Sequence, residues 1–237
     1  VDESNERRGV FSINAIWKSK VAVLLGDYLL ARGLLLAVRN QDYLLLEIVS
    51  DASREMSEGE LLQIQKSRSL GIDVDTYYEV IRKKTATLIA SCVACGATAA
   101  GAEPDVVSRI HELGIQIGMA FQIKDDLFDY QSSGLIGKPT GNDIKEKKFT
   151  LPLIFALNQA ESGRRKKMIK RIRNGNRSSV VVHEVIQFVK DQGGIRFAEE
   201  KMQEFKNRAL DSLNGFPPSP ARDALKDLVE FTVSRNR

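Results

Sequence analysis

Three closely spaced aspartates are the residues with the clearest chemical meaning. Asp125, Asp126 and Asp129 form an Asp-Asp-x-x-Asp sequence in a segment whose apolar residues recur every three or four positions, as in a helix. At about 100° per residue the three carboxylates lie on one arc beside the apolar stripe. Crowded carboxylates repel one another unless cations lie among them, and magnesium combines carboxylate ligands with substrate phosphates. The motif therefore predicts a magnesium site, with an acidic, solvated helix end as the alternative.

A glycine-rich segment follows the aspartates and contains a lysine suited to phosphate. It runs Gly134-Leu-Ile-Gly-Lys-Pro-Thr-Gly-Asn-Asp143 and places Lys138 shortly after the acidic motif. Glycines let backbone approach a ligand closely, and a lysine ammonium is a compact charge for phosphate oxygens. An ordinary turn explains each of these pieces taken separately.

The elements that must position these residues are helices. Apolar residues recur at three and four throughout the chain, and sustained alternation is nearly absent, so the sequence predicts an all-α fold. The predicted helices cover 13–38, 41–69, 74–99, 103–131, 150–160, 178–191, 193–214 and 218–234. No linker or repeat divides them, and we expect one domain over 1–237.

Composition limits the class of partner. The chain has 43% hydrophobic and 28% charged residues, and its net charge of +4 is too small to indicate nucleic-acid binding. The basic run 163–173 keeps helical spacing and is interpreted as a solvated helix face. Cys92 and Cys95 lie in an apolar helical stretch and are expected to pack as small core residues.

Membrane and export signals are not expected. No unbroken apolar run reaches the ~20 residues that span a bilayer, and the charged first residues are unlike a signal peptide. These observations predict no transmembrane segment and a cytoplasmic location.

The order of the motifs resembles that of a known family, the trans-isoprenyl diphosphate synthases, over nearly the whole chain. The matching pieces are Gly26-Asp27-Tyr28, Lys84-Thr85, Phe121-Gln122, Asp125-Asp126-x-x-Asp129, Gly137-Lys138-Pro139, Asp143 and Lys148-x-Thr150-Leu-Pro152. The opening residues resemble the end of the family's first aspartate motif, with Asp2 as its last aspartate and Arg7 and Arg8 as the arginine pair that follows. On this alignment the first two aspartates, and the Gly-Lys-Arg and histidine that bind isopentenyl diphosphate, would precede Val1. We therefore expect residues 1–237 to form a helical domain that lacks its first helices. We also expect these residues to be inactive by themselves.

The resemblance implies a fold, a reaction and a set of roles. The fold is a bundle of long helices around a central apolar cavity, and the active unit is a homodimer. The reaction joins isopentenyl diphosphate to an allylic diphosphate by ionisation, attack on the carbocation and proton loss, with Mg²⁺ as cofactor. Roles carried over by position are metal binding for Asp2, Asp125, Asp126 and Asp129; allylic diphosphate binding for Arg7, Lys84, Lys138 and Lys148; isopentenyl diphosphate binding for Arg8; and a place near the reacting carbons for Thr85 and Gln122.

The product length stays open at this stage. Residues around Asp2 and in the segment 14–26 look more like the long-chain, octaprenyl-type branch, with farnesyl diphosphate as primer. A short-chain farnesyl or geranylgeranyl diphosphate synthase and a non-catalytic partner subunit of a heteromeric enzyme are the alternatives. The triple aspartate disfavours squalene synthases and terpene cyclases, whose second metal motif differs.

Overall fold

The computed structural model describes residues 6–7, 10–69, 73–130, 141–175 and 178–235, with side chains for 10–66, 73–130, 141–175 and 178–235. Two short strands, β1 (Glu6–Arg7) and β2 (Val10–Phe11), pair antiparallel. Helices form nearly all of the rest, so the all-α prediction is confirmed. In chain order they are α1 (Ile13–Arg39), α2 (Tyr43–Ser69), α3 (Val74–Ile81), a π-helical turn (Arg82–Ala86), α4 (Thr87–Ala99), α5 (Pro104–Phe128), α6 (Asn142–Lys145), α7 (Leu151–Gln159), α8 (Ser162–Gly175), α9 (Ser179–Asp191), α10 (Gly194–Asn214) and α11 (Pro220–Ser234).

The observed helices differ from the predicted ones chiefly in two places. The predicted helix 74–99 is divided by the π turn, in which the Thr87 N–H donates to the Arg82 carbonyl, five residues back. The short helix α6 was not predicted, because four residues are too few for a periodic pattern. The basic run is a complete helix, α8, as its spacing suggested.

The chain divides into two compact units, Val1–Ser50 and Asp51–Arg237. The expected single domain over 1–237 stays a prediction. In the first unit α1 has no buried residue, and its helical path is interrupted at Lys18, where φ is 70°. Ser12 begins the helix by accepting a hydrogen bond from the Ala15 N–H at 3.0 Å.

Helix α1 is long and apolar enough to cross a membrane by length and composition alone. None of its residues is buried, and Asp27 and Arg32 interrupt its apolar sequence. Core helices of soluble proteins can be equally long and apolar, so these properties do not make α1 a membrane span.

In the second unit α5 is the central helix and contacts α4, α10, α11 and the π turn. Leu113 and Ile117 pack toward α10 and α11. Met119 and Ile123, on another face, belong to the main core. The predicted single apolar stripe is therefore only part of the buried surface, because α5 is surrounded on several sides.

Candidate active site

The candidate site surrounds a cavity of about 340 Å³ in the second unit. Its walls come from α2, α3, the π turn, α5, α6 and the segment 148–150. Six of the predicted site residues line it: Lys84, Thr85, Gln122, Asp125, Asp126 and Lys148. Segments distant in sequence therefore bring the predicted cations and carboxylates to one place.

Two glycines allow the helices around the π turn to approach closely. A Cβ added at Gly118 of α5 would lie 2.4 Å from the Ala86 Cα, and one added at Gly59 of α2 would lie 2.8 Å from the Lys84 backbone nitrogen. Neither separation is possible for real side chains. The absence of a Cβ at both positions sets the π turn, with Lys84 and Thr85, between α2 and α5.

A continuous hydrogen-bonded chain crosses the floor of the cavity. The Thr85 hydroxyl donates to the Gln122 Oε1 at 2.8 Å, and the Gln122 amide donates to the Asp126 Oδ1 at 2.8 Å. The other Asp126 oxygen accepts a hydrogen bond from the buried Tyr77 hydroxyl at 2.7 Å. Gln122 and Asp126 are four residues apart on α5 and so share one face. The chain fixes the orientation of the Gln122 amide and of the Asp126 carboxylate.

Burial raises the pKa values of several acidic groups around the cavity. Burial, and next the negative charge of Asp143, raises the pKa of Asp126 to about 7. Burial and the charge of Asp129 raise the pKa of Asp143 to about 6. Burial, and then Asp126, raises the pKa of Tyr77 well above its ordinary value. The site thus concentrates negative charge that the protein neutralises only in part, which a cation can compensate.

Asp125 has a cationic partner from the end of the described chain. The Arg235 guanidinium pairs with the Asp125 Oδ1 and donates to the Phe121 carbonyl at 3.3 Å. Burial raises the pKa of Asp125, and the charge of Arg235 opposes that shift. Arg235 also lies 4.1 Å from the Phe121 ring centroid and 5.4 Å from that of Phe128. Phe121 and Phe128, on the same helix as Asp125, thus form a platform for Arg235.

The Asp129 carboxylate is occupied by backbone donors. Its two oxygens accept hydrogen bonds from the N–H groups of Asn142 at 2.9 Å and Asp143 at 3.0 Å. Gly141, with φ of 78°, donates to the Asp129 carbonyl and permits the turn into α6. In this arrangement Asp129 holds α6 in place, and α6 presents Asp143 to the cavity.

The two described site lysines line the cavity from different elements, Lys84 from the π turn and Lys148 from the segment after α6. Lys84 Nζ donates to Gln63 Oε1 at 2.7 Å and pairs with Glu60 at 2.6 Å. Lys148 Nζ lies 2.5 Å from a Glu146 oxygen and 3.9 Å from an Asp143 oxygen. Both ammonium groups are partly exposed. An anionic ligand between them would contact two cations.

Some predicted residues cannot be placed. Asp2, Arg8 and Lys138 lie outside the described residues, as does the side chain of Arg7. Among the residues that are described, no three carboxylates converge to hold one metal ion. Magnesium binds through one or two carboxylates and completes its shell with waters and phosphates. The Asp125 and Asp126 carboxylates, which both line the cavity, fit such an ion.

Five polar residues in or beside the cavity were not among the predicted ligands: Gln63, Tyr77, Asp143, Thr150 and Arg235. Tyr77 is seven residues before Lys84, and a helical wheel drawn from that lysine points to it. Asp143 belongs to the recognised motif but had no assigned role. Arg235 gives no local signal, since it meets Asp125 across 110 residues.

Known proteins resemble this chain over almost its whole length. The family model for polyprenyl synthetase matches residues 1–189. The octaprenyl diphosphate synthase of Escherichia coli is 31% identical over 100% of this chain and 73% of its own length.

Solved structures agree with this match. A decaprenyl diphosphate synthase from Rhodobacter capsulatus superposes with a TM-score of 0.91 at 34% identity, covering 99% of this chain and 73% of that one. A geranylgeranyl pyrophosphate synthase from Bacteroides thetaiotaomicron superposes with a TM-score of 0.85 at 38% identity, covering 94% and 74%.

Proposed function

Because the chain belongs to the polyprenyl synthetase family, whose members transfer prenyl groups, we propose that it condenses isopentenyl diphosphate with farnesyl diphosphate. The product is a longer all-trans polyprenyl diphosphate, and inorganic diphosphate is released. The similarity to octaprenyl and decaprenyl diphosphate synthases supports a long-chain product.

The observation that carries the proposal is the cavity with lysines on two walls and a hydrogen-bonded carboxylate on its floor. Lys84 and Lys148 bind the allylic diphosphate from either side and stabilise the charge that develops when the carbon–oxygen bond breaks. Asp125 and Asp126, supported by Asp143, would hold the magnesium. That ion supplies further positive charge to the departing diphosphate.

The apolar part of the cavity wall and the Thr85 to Gln122 hydrogen bond serve the carbocation. Val80, Ile81 and Phe149 line the cavity and exclude water, which would otherwise quench the cation. The Thr85 hydroxyl donates a hydrogen bond to the Gln122 Oε1, so the lone pairs of the Thr85 oxygen are available to the cation. The Gln122 amide nitrogen donates a hydrogen bond to Asp126, which fixes the amide and therefore keeps the Thr85 hydroxyl in one orientation.

The deciding experiment is mass spectrometry of the full-length protein incubated with magnesium, isopentenyl diphosphate and farnesyl diphosphate. We expect products longer by successive five-carbon units, well beyond geranylgeranyl diphosphate. Products ending at twenty carbons would support the short-chain alternative, which the 38% identity to a geranylgeranyl pyrophosphate synthase favours. Inactivity with farnesyl, geranyl and dimethylallyl diphosphate would support the partner-subunit alternative instead.

We further propose that the protein functions as a homodimer. Large apolar side chains of α1, among them Trp17, Leu24 and Leu36, are more than half exposed, as expected for a helix that another surface covers. Light scattering of the full-length protein without detergent tests this state, and a monomer would contradict it.

A further inference from the structure

The positive charge of this protein is concentrated on one helix. Helix α8 has seven cationic side chains and no acidic one: Arg164, Arg165, Lys166, Lys167, Lys170, Arg171 and Arg173. Since the whole chain has a net charge of +4 and α8 alone contributes +7, the remainder has a net charge of −3. The small net charge of the chain is therefore the sum of a strongly positive helix and a negatively charged remainder.

The cationic residues face away from the core. Ile172 is 1% exposed, and Met168 and Ile169 pack against the same core. At about 100° per residue, Lys166, Lys170 and Arg173 lie within an arc of about 60° whose centre is about 120° from the centre of the apolar arc. All three are exposed. The apolar residues of α8 are thus used inside the protein, and the outer face is a row of charges.

The neighbouring helix neutralises the edge of this row but not its centre. Arg171 pairs with Glu184 at 2.7 Å, and Arg164 lies 3.8 Å from Asp191. Lys167 also acts on Glu184, whose pKa it helps to lower. No carboxylate of the described residues forms an ion pair with the Lys166, Lys170 and Arg173 row. Three adjacent cations are therefore left facing outward.

We infer that the outer face of α8 binds the surface of a membrane rich in anionic phospholipids. Basic residues near such a surface are attracted to it by their charge, and each residue contributes separately. Lys166 and Arg173 are seven residues apart on α8, so at 1.5 Å per residue the row is about 10 Å long and can lie along a flat charged plane.

A nucleic-acid ligand fits this face less well. Single-stranded nucleic acids are bound through aromatic stacking as well as charge, and α8 contains no aromatic residue. The biological advantage of membrane contact rests on the proposed function, because a long polyprenyl chain is apolar and has to reach a lipid phase. The binding itself does not depend on catalysis.

The test is cosedimentation of the full-length protein with phosphatidylcholine vesicles that do or do not contain phosphatidylglycerol. We expect binding only with phosphatidylglycerol, and loss of that binding in high salt. The triple variant Lys166→Gln, Lys170→Gln, Arg173→Gln should bind about 100-fold more weakly, at about fivefold for each charge. The control is Lys190→Gln, Arg196→Gln, Arg208→Gln, which loses the same charge at exposed positions of α9 and α10 and should bind within about threefold of the parent protein.

Three results would overturn the inference. The protein could bind neutral vesicles as tightly as anionic ones, or both triple variants could lose the same amount of vesicle binding. The third result is binding to a single-stranded RNA that is as tight as binding to anionic vesicles and that the α8 variant loses to the same extent. Circular dichroism shows that each variant is folded. Turnover of soluble substrates by the α8 variant should stay unchanged. If the protein binds vesicles but has no synthase activity, the proposed function is refuted and the inferred membrane-binding face of α8 is unaffected.

Discussion

Arg235 and Asp125 form an ion pair between the end of α11 and the candidate metal site. The Arg235 side chain is only 13% exposed and is stacked on two aromatic rings of α5. The same Asp125 carboxylate is a proposed magnesium ligand, so Arg235 and a metal ion compete for it.

Replacement of Arg235 by glutamine tests this competition. The variant should lose about 1–2 kcal/mol of stability with its cation–π contacts, measured by chemical denaturation without metal. It should also reach half-maximal activity at a lower magnesium concentration, since the carboxylate is free of its partner. A higher magnesium requirement would mean instead that Arg235 orients Asp125 for the metal.

The stability of the metal-free protein should depend on pH through Asp126 and Asp143. Their pKa values are raised from 3.8 to about 7 and about 6 in the folded protein. The folded state therefore holds these protons more tightly than the unfolded chain, so the free energy of unfolding falls as pH rises from about 4 to about 7 and then levels off. Denaturation in EDTA at several pH values measures this slope. Asp126→Asn should flatten it, and an unchanged slope in that variant would refute the assignment.

Adjacent lysines in the π turn allow a matched test of diphosphate binding. Lys84 lines the cavity, whereas Lys83 does not and pairs with Glu58 at 2.9 Å. Lys84→Gln should raise the KM for the allylic substrate about tenfold, equivalent to a loss of about 1.4 kcal/mol. Lys83→Gln should leave this KM within about twofold. If both substitutions raise the KM to a similar extent, Lys84 acts on the substrate through long-range charge and not through direct contact.

The close contact at Gly118 predicts a large cost for a single methyl group. Gly118→Ala places a Cβ against Ala86 and must push α5 away from the π turn, which should destabilise the protein by about 1–3 kcal/mol. Gly96→Ala is the control, because Gly96 lies in α4 with no heavy atom within 4 Å of an added Cβ. That change should be neutral or stabilising by up to about 1 kcal/mol. Thermal unfolding of both variants decides the comparison.

Local patterns predicted the parts of the site that lie close together in sequence. Gln122, Asp125 and Asp126 occupy one stretch of α5, so helical periodicity alone placed them on one side. Tyr77 could have been found in the same way from Lys84.

Other features depend on how distant segments meet. The Asp129 carboxylate accepts from α6 because of the path of the chain at Gly141, and no pattern in the sequence specifies that path. Arg235 reaches Asp125 through the packing of α11 on α5. The π turn has no periodic signal, since it differs from an α-helix by one residue.

The hydrogen-bond register of that turn fixes the orientation of the helix before it. If the same five residues Arg82–Ala86 became regular α-helix, everything before them would rotate by about 90° relative to α4, because a residue turns the chain by about 100° in an α-helix and by only about 82° in a π-helix. Tyr77 would then leave Asp126, although no residue in contact with either had been replaced. The hydrogen-bond register of this turn is therefore as much a determinant of the site as any of its side chains.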